Sequence, residues 1–165
     1  MTKTAIIFRA LVAVAVFAAG NVSAAGAGIE MESAQIDLGN KGSLQRGAGL
    51  YMSYCSACHS LGYMRYSRMA EDLGLTEEEV TKNLMFTDAK FGESMNTGLD
   101  PKQATAWFGK APPDLSLIAR SRGTDYLYQF LKSFYADPAT ASGVNNLSLP
   151  GTAMWARAVR KPCAP

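Results

Sequence analysis

Histidine is almost missing from this chain: His59 stands alone among 165 residues, with three cysteines beside it in the count. No site that needs two imidazoles can be built from this chain. Strand-like alternation of apolar and polar residues is also scarce, and no internal repeat or second low-complexity block occurs beyond the first segment, which argues against β-rich and solenoid folds. Surplus charge is missing too. The formal net charge is +2, but Lys3, Arg9, Arg157, Arg160 and Lys161 sit at the two ends. Without those five, eleven basic side chains face fourteen acidic ones. No basic patch survives, so nucleic-acid binding has no electrostatic support. A spanning helix needs about 20 apolar residues, and no segment reaches that length.

The longest apolar run, Ala10 to Ala19, belongs to a processing signal. Lys3 and Arg9 form its positive start, and Val22-Ser23-Ala24 offers small residues where a signal peptidase cuts. Residues 1–24 are therefore expected to be a signal peptide, and the Ala/Gly stretch 24–28 a flexible mature start. The processed chain is expected to be soluble and exported.

The remaining patterns are helical. Ser43 is expected to cap a helix running through Leu50 and Tyr51 towards Cys55. Thr76 with Glu79 makes a capping box ahead of Val80 and Leu84. Asp100-Pro101 places a cap before a proline at the first helical position, and Gly109 stops that helix. Thr124 opens a fourth, with Leu127, Phe130, Leu131 and Phe134 at helical spacing and Asp137-Pro138 as its end. Gly143 to Asn146 and Leu149-Pro150-Gly151 read as loops. The expected class is all-α, with short helices and long ordered loops. Eight methionines and sixteen aromatics are mostly core material. A chain of short helices and many loops often needs a large apolar cofactor to complete that core.

Cys55-Ser56-Ala57-Cys58-His59 is the C-x-x-C-H pattern of covalent haem attachment. Two thiols three residues apart lie within one helical turn and can add across the two vinyl groups of one porphyrin. The next residue then turns its imidazole towards the iron from the same side. Three other readings compete. A thioredoxin-like dithiol follows a strand and opens a helix, whereas Gly47, Leu50 and Tyr51 here read as helix. A structural zinc site would need Cys163 as its fourth ligand. Chance adjacency is the third. Covalent haem is the favoured reading, with His59 as proximal ligand. The sixth position is then Met, a weaker group, or open.

Beyond this motif the chain resembles cytochrome c1. The strings that carry the resemblance are Tyr63-Met64-Arg65-Tyr66-Ser67-Arg68, Asn83 to Thr87, and Trp107-Phe108-Gly109-Lys110-Ala111-Pro112-Pro113-Asp114-Leu115-Ser116. Ala119-Arg120-Ser121-Arg122-Gly123, Asp125-Tyr126-Leu127-Tyr128 and Gly143 to Leu147 continue it, over roughly Ser43 to Met154. The resemblance implies a cytochrome c-like haem domain over 25–154 that carries one covalent haem c. One of Pro112 and Pro113 would offer its carbonyl to the His59 N–H and raise the ring's basicity. Arg120 would pair with a haem propionate, and Tyr126 would lie close enough to hydrogen-bond there.

The resemblance also implies an electron carrier that does no bond chemistry on a substrate, as a subunit of the ubiquinol–cytochrome c reductase. It would take electrons from a Rieske iron–sulfur subunit, sit beside cytochrome b and pass electrons to a soluble cytochrome c. Its expected place is the periplasmic side of a bacterial inner membrane. The acidic run Glu71, Asp72, Glu77, Glu78 and Glu79 reads as a solvated helix face rather than a steering patch. After Met154 the family continues Pro-His-Val-Leu-Trp, and this chain does not. Residues 155–165, with Cys163, are therefore expected to be an aberrant tail, standing where the resemblance implies the stretch with the axial Met and a membrane helix. The domain is thus expected to be incomplete at its C-terminus, and the alternative function is a soluble c-type protein with an open or substitute sixth ligand. Met85, Met95 and Met154 are the candidate substitutes.

Overall fold

The structure, a computed structural model, describes residues 31–152 and 154. The expected signal peptide, the Ala/Gly start, the tail and Cys163 lie outside the described residues. Helices dominate, in the order α1 (Lys41–Tyr54), α2 (Tyr66–Leu73), α3 (Glu77–Asn83), α4 (Pro101–Phe108), α5 (Ile118–Arg122) and α6 (Thr124–Lys132). Four short strands interleave with them: β1 (Leu61–Arg65), β2 (Ser94–Met95), β3 (Phe134–Ala136) and β4 (Val144–Asn146). They make two separate antiparallel pairs, β1 with β2 and β3 with β4. The fold is mostly helical with loops, as expected of this class. No helix among the described residues is long and apolar enough to cross a membrane.

The core gathers under the first three helices. In α2, Tyr66, Met69, Ala70 and Leu73 recur at i, i+3, i+4 and i+7, and all four are buried. That is the stripe an amphipathic helix turns inward. Arg68 and Asp72 pair on the open face at 2.9 Å. Gly74, at φ 67°, ends the helix in the left-handed region that glycine tolerates. The Thr76–Glu79 capping box opens α3, which sends Val80 into the same core. Met52 from α1, Leu84 and Met95 complete the cluster.

Two helix limits differ from the expected ones. The first helix starts at Lys41 because Asn40, not Ser43, caps it: the Asn40 side chain accepts the Ser43 N–H at 3.0 Å. Asparagine competes on equal terms with serine at this position. The last helix ends at Lys132, so Phe134 is not on it. Phe134 opens β3 instead and pairs with Asn146 of β4, in a segment whose Gly143-Val144-Asn145-Asn146 string suggested a loop. Phe130 and Phe134, four positions apart as on a helix, nevertheless meet edge to face with ring centres 5.1 Å apart.

Asn146 explains why a strand forms there. It is wholly buried, and its Oδ1 accepts from the Ser133 hydroxyl at 3.0 Å, the Ser148 N–H at 2.8 Å and the Leu149 N–H at 3.1 Å. Its Nδ2 donates to the Phe130 carbonyl at 2.8 Å. One side chain thus ties the end of α6 to the loop after β4. Asn146→Ala orphans buried Ser133 and three less buried partners and should lower stability by roughly 2–4 kcal/mol. Half-buried Asn145 should cost less on the same change. Chemical denaturation measures both, and an Asn146→Ala midpoint equal to wild type would show that the network holds nothing.

Candidate haem site

The site begins where α1 runs out. Backbone bonds continue past Tyr54, with the Cys55 N–H donating to Tyr51 at 2.8 Å and the His59 N–H to Cys55 at 2.9 Å. Residues 55–59 therefore keep one more helix-like turn. Cys55 and Cys58 are both partly buried and not disulfide-bonded. Burial, and then the neighbouring Cys58, pushes the Cys55 thiol up.

Three side chains or segments clamp this turn. The His59 Nδ1–H donates to the Pro113 carbonyl at 2.8 Å. A carbonyl only accepts, so Nδ1 carries a proton, and in the neutral ring the Nε2 lone pair is left free. On the α1 side, the Tyr51 hydroxyl donates to the His59 carbonyl at 2.6 Å. From the end of β2, the Thr97 hydroxyl donates to the Ala57 carbonyl at 2.7 Å while its N–H donates to the Ser60 hydroxyl at 2.9 Å.

The Pro113 segment is itself stitched to β1. The Leu115 N–H donates to the Ser60 carbonyl at 2.9 Å. Asp114 Oδ2 accepts from the Gly62 N–H at 2.7 Å, and the Ser116 hydroxyl accepts from the Tyr63 N–H at 3.1 Å. Beside Cys58 lies a cavity of about 230 Å³, walled by Leu99, Pro101, Ala104, Ala111 and Pro112. The two prolines thus do different things: Pro113 faces His59, and Pro112 lines the cavity.

The chain belongs to the cytochrome c1 family. The model described as the Cytochrome C1 family matches residues 30–155. A cytochrome c1 of Allochromatium vinosum is 50% identical over 127 residues, covering 77% of this chain and 52% of that protein. An ammonia monooxygenase gamma subunit of Nitrosomonas europaea is 44% identical over 126 residues, 76% of this chain and 53% of its own. A Rhodospirillum rubrum cytochrome c1 is 30% identical over 113 residues, 57% and 41% of the two chains. The chain thus spans about half the length of the curated relatives it matches.

Proteins of the cytochrome c1 family carry a covalently bound haem c, and the residues here fit one. Two unbridged thiols and an imidazole with a free Nε2 sit on one turn, as the porphyrin's vinyl groups and iron require. The core is also short of material. Among the described residues eleven apolar side chains are buried while fourteen large ones are exposed, including Trp107, Leu117, Leu131, Leu147 and Leu149. A large apolar group would cover such surface. Zinc fits less well, since no group of three or more His, Cys, Asp or Glu among the described residues could hold a metal ion.

The other candidates make no hydrogen bond to this turn among the described residues. Arg120 lies exposed on α5, with no ion pair among the described residues. Arg122 instead sits over the Tyr126 ring, 5.6 Å from its centre, and Tyr126 stacks on Phe130 at 6.2 Å. The three candidate substitute methionines sit in different surroundings. Met95 is a buried member of the core and Met85 packs against it, so both are core side chains. Met154 is half-buried. Tyr51, Thr97 and Asp114 were missed as site residues. Asp114 sat inside the quoted Pro112-Pro113-Asp114 string, but nothing local in sequence marks Thr97.

Tyr51 carries a pH signature. Burial, then Cys55, Asp114 and Tyr66, raises its hydroxyl from 10.0 to about 12. The folded state thus holds this proton more tightly than the unfolded state. Its contribution to stability is complete below pH 10 and is lost as pH climbs towards 12. Tyr51→Phe should flatten the fall in stability across that window while lowering stability at neutral pH by about 1 kcal/mol, the worth of one hydrogen bond. Denaturation at stepped alkaline pH checks this, and an unchanged slope would refute it.

Proposed function

We propose that this chain is the haem-bearing electron-transfer part of a cytochrome c1, acting as a carrier subunit of a ubiquinol–cytochrome c reductase. It takes electrons from a Rieske iron–sulfur protein, sits with cytochrome b and delivers to a soluble cytochrome c. Residues 25–154 form the haem domain, on the periplasmic side of a bacterial inner membrane, and 1–24 act as the export leader. The observation that carries this reading is the His59 ring, fixed by the Pro113 carbonyl on the same turn as Cys55 and Cys58. When bound, the haem supplies a one-electron couple, and no bond of a substrate needs to be made or broken.

The chain's own residues bind and orient. Cys55 and Cys58 hold the group covalently, and His59 provides the proximal imidazole. Pro113 fixes the ring's tautomer and makes it a stronger donor. Arg120 is the propionate partner, a role open to a guanidinium that has no ion pair among the described residues, and Tyr126 hydrogen-bonds nearby.

Expressed with a haem maturation system and exported, the chain should retain one haem through acid–acetone extraction. Cys55→Ala should weaken attachment, and His59→Ala should abolish the normal axial bond. Haem that extracts freely, or zinc in a one-to-one ratio, would overturn the proposal. For the propionate, Arg120→Gln should shift the midpoint potential and lower stability more than Arg122→Gln, whose partner is an aromatic ring. Equal, negligible shifts from both would make Arg120 an ordinary surface residue.

A further inference from the structure

The His59–Pro113 bond raises the question of what holds the proline carbonyl still. Proline has no N–H and so cannot anchor itself through the backbone. Its neighbour Asp114 shares the anchoring with the Leu115–Ser60 and Ser116–Tyr63 bonds, and lies next to the carbonyl itself. One carboxylate oxygen accepts the Gly62 N–H at 2.7 Å, and the other accepts the Ser116 N–H at 2.8 Å. The first bond reaches across 52 residues to β1, three positions beyond His59; the second closes a local turn. Asp114 is exposed; the little desolvation it suffers pushes the carboxyl up, but bonds from Ser116 and Gly62 outweigh it and hold the group below its ordinary range.

Gly62 supplies an independent sign that the approach is built in. A Cβ at that position would stand 3.1 Å from Asp114 Oδ2 and 3.4 Å from Asn96 Oδ1. The φ of Gly62 is not positive, so the backbone does not demand glycine; the carboxylate's closeness does.

We propose that Asp114 is a positioning residue for the proximal histidine: by latching onto Gly62 it presses the Pro113 carbonyl against Nδ1 and so sets the electron donation of the His59 ring. The inference rests on the haem reading above. A tight Nδ1–H···O=C bond gives the imidazole more anionic character, which favours the oxidised iron and lowers the potential. Releasing the latch loosens that bond and raises the potential.

His59 is the one histidine in the chain, so 15N-histidine labelling of the holoprotein yields a single Nδ1–H to follow. In Asp114→Ala its exchange with solvent should quicken by about ten- to a hundredfold, the worth of one charge-assisted hydrogen bond, and the midpoint potential should rise. Asp114→Asn keeps one acceptor and should fall between Ala and wild type. Gly62→Ala should move both readouts in the direction of Asp114→Ala without touching the carboxylate. If Asp114→Ala fails to fold or load haem, the Asn and Gly62 variants carry the same comparison. Wild-type exchange and potential in the variants that fold would overturn the latch, as would exchange that quickens only in step with global unfolding. Absence of covalent haem from the wild-type protein would sink the haem reading instead, so the two failures are separable.

Discussion

The bond between the His59 ring and the Pro113 carbonyl joins segments 54 residues apart, and much of the intervening chain is arranged to let it form. Closing a loop of that length costs conformational entropy that one hydrogen bond cannot offset. The cost is spread instead. The α2–α3 core anchors the outward run, and β2 returns the chain alongside β1, with Leu61 opposite Met95. The α4 helix, capped by Asp100 and stopped at Gly109, turns it back towards the site. Proline at 113 suits the last step, because its fixed φ leaves the carbonyl little freedom to wander.

Short helices explain why the protein needs something to pack around. Five of the six described helices have nine residues or fewer, and α5 and α6 bury no side chain fully. Isolated helices of this length are marginal in water. The α5–α6 region is held by polar ties to Asn146 and by the Tyr126, Phe130 and Phe134 rings. A flat apolar group covering the exposed leucines would add the burial these helices do not find among themselves.

What could be read in sequence was what is local. The capping box at Thr76, the Asp100-Pro101 start and the Gly109 stop are signals contained within a few residues, and all three stand in the structure. So was the attachment motif, whose spacing maps onto one turn. Non-local pairings were hidden. Nothing near Val144 announces that it meets Ala136, and Thr97 reaches Ala57 only because β2 carries it there. Arg120 and Arg122 look alike in sequence, yet among the described residues Arg122 alone meets an aromatic ring. The choice between Pro112 and Pro113 likewise needed three dimensions, because adjacent residues present their carbonyls in different directions.

The methionines show the same logic applied to iron ligation. A thioether placed at helical spacing is core until something pulls it out, and here the pull is weak. Met52, Met69 and Met95 are buried together, and Met64 and Met85 pack against them. Emptying such a position costs about 2–5 kcal/mol in lost burial and residual cavity. Moving the loop that carries it costs further entropy for each residue reordered. One Fe–S bond is a poor exchange for both. Ligation by Met85 or Met95 would dismantle the cluster that supports α1, and with it the turn that presents Cys55, Cys58 and His59. The same core that supports the turn thus keeps these two thioethers packed within it.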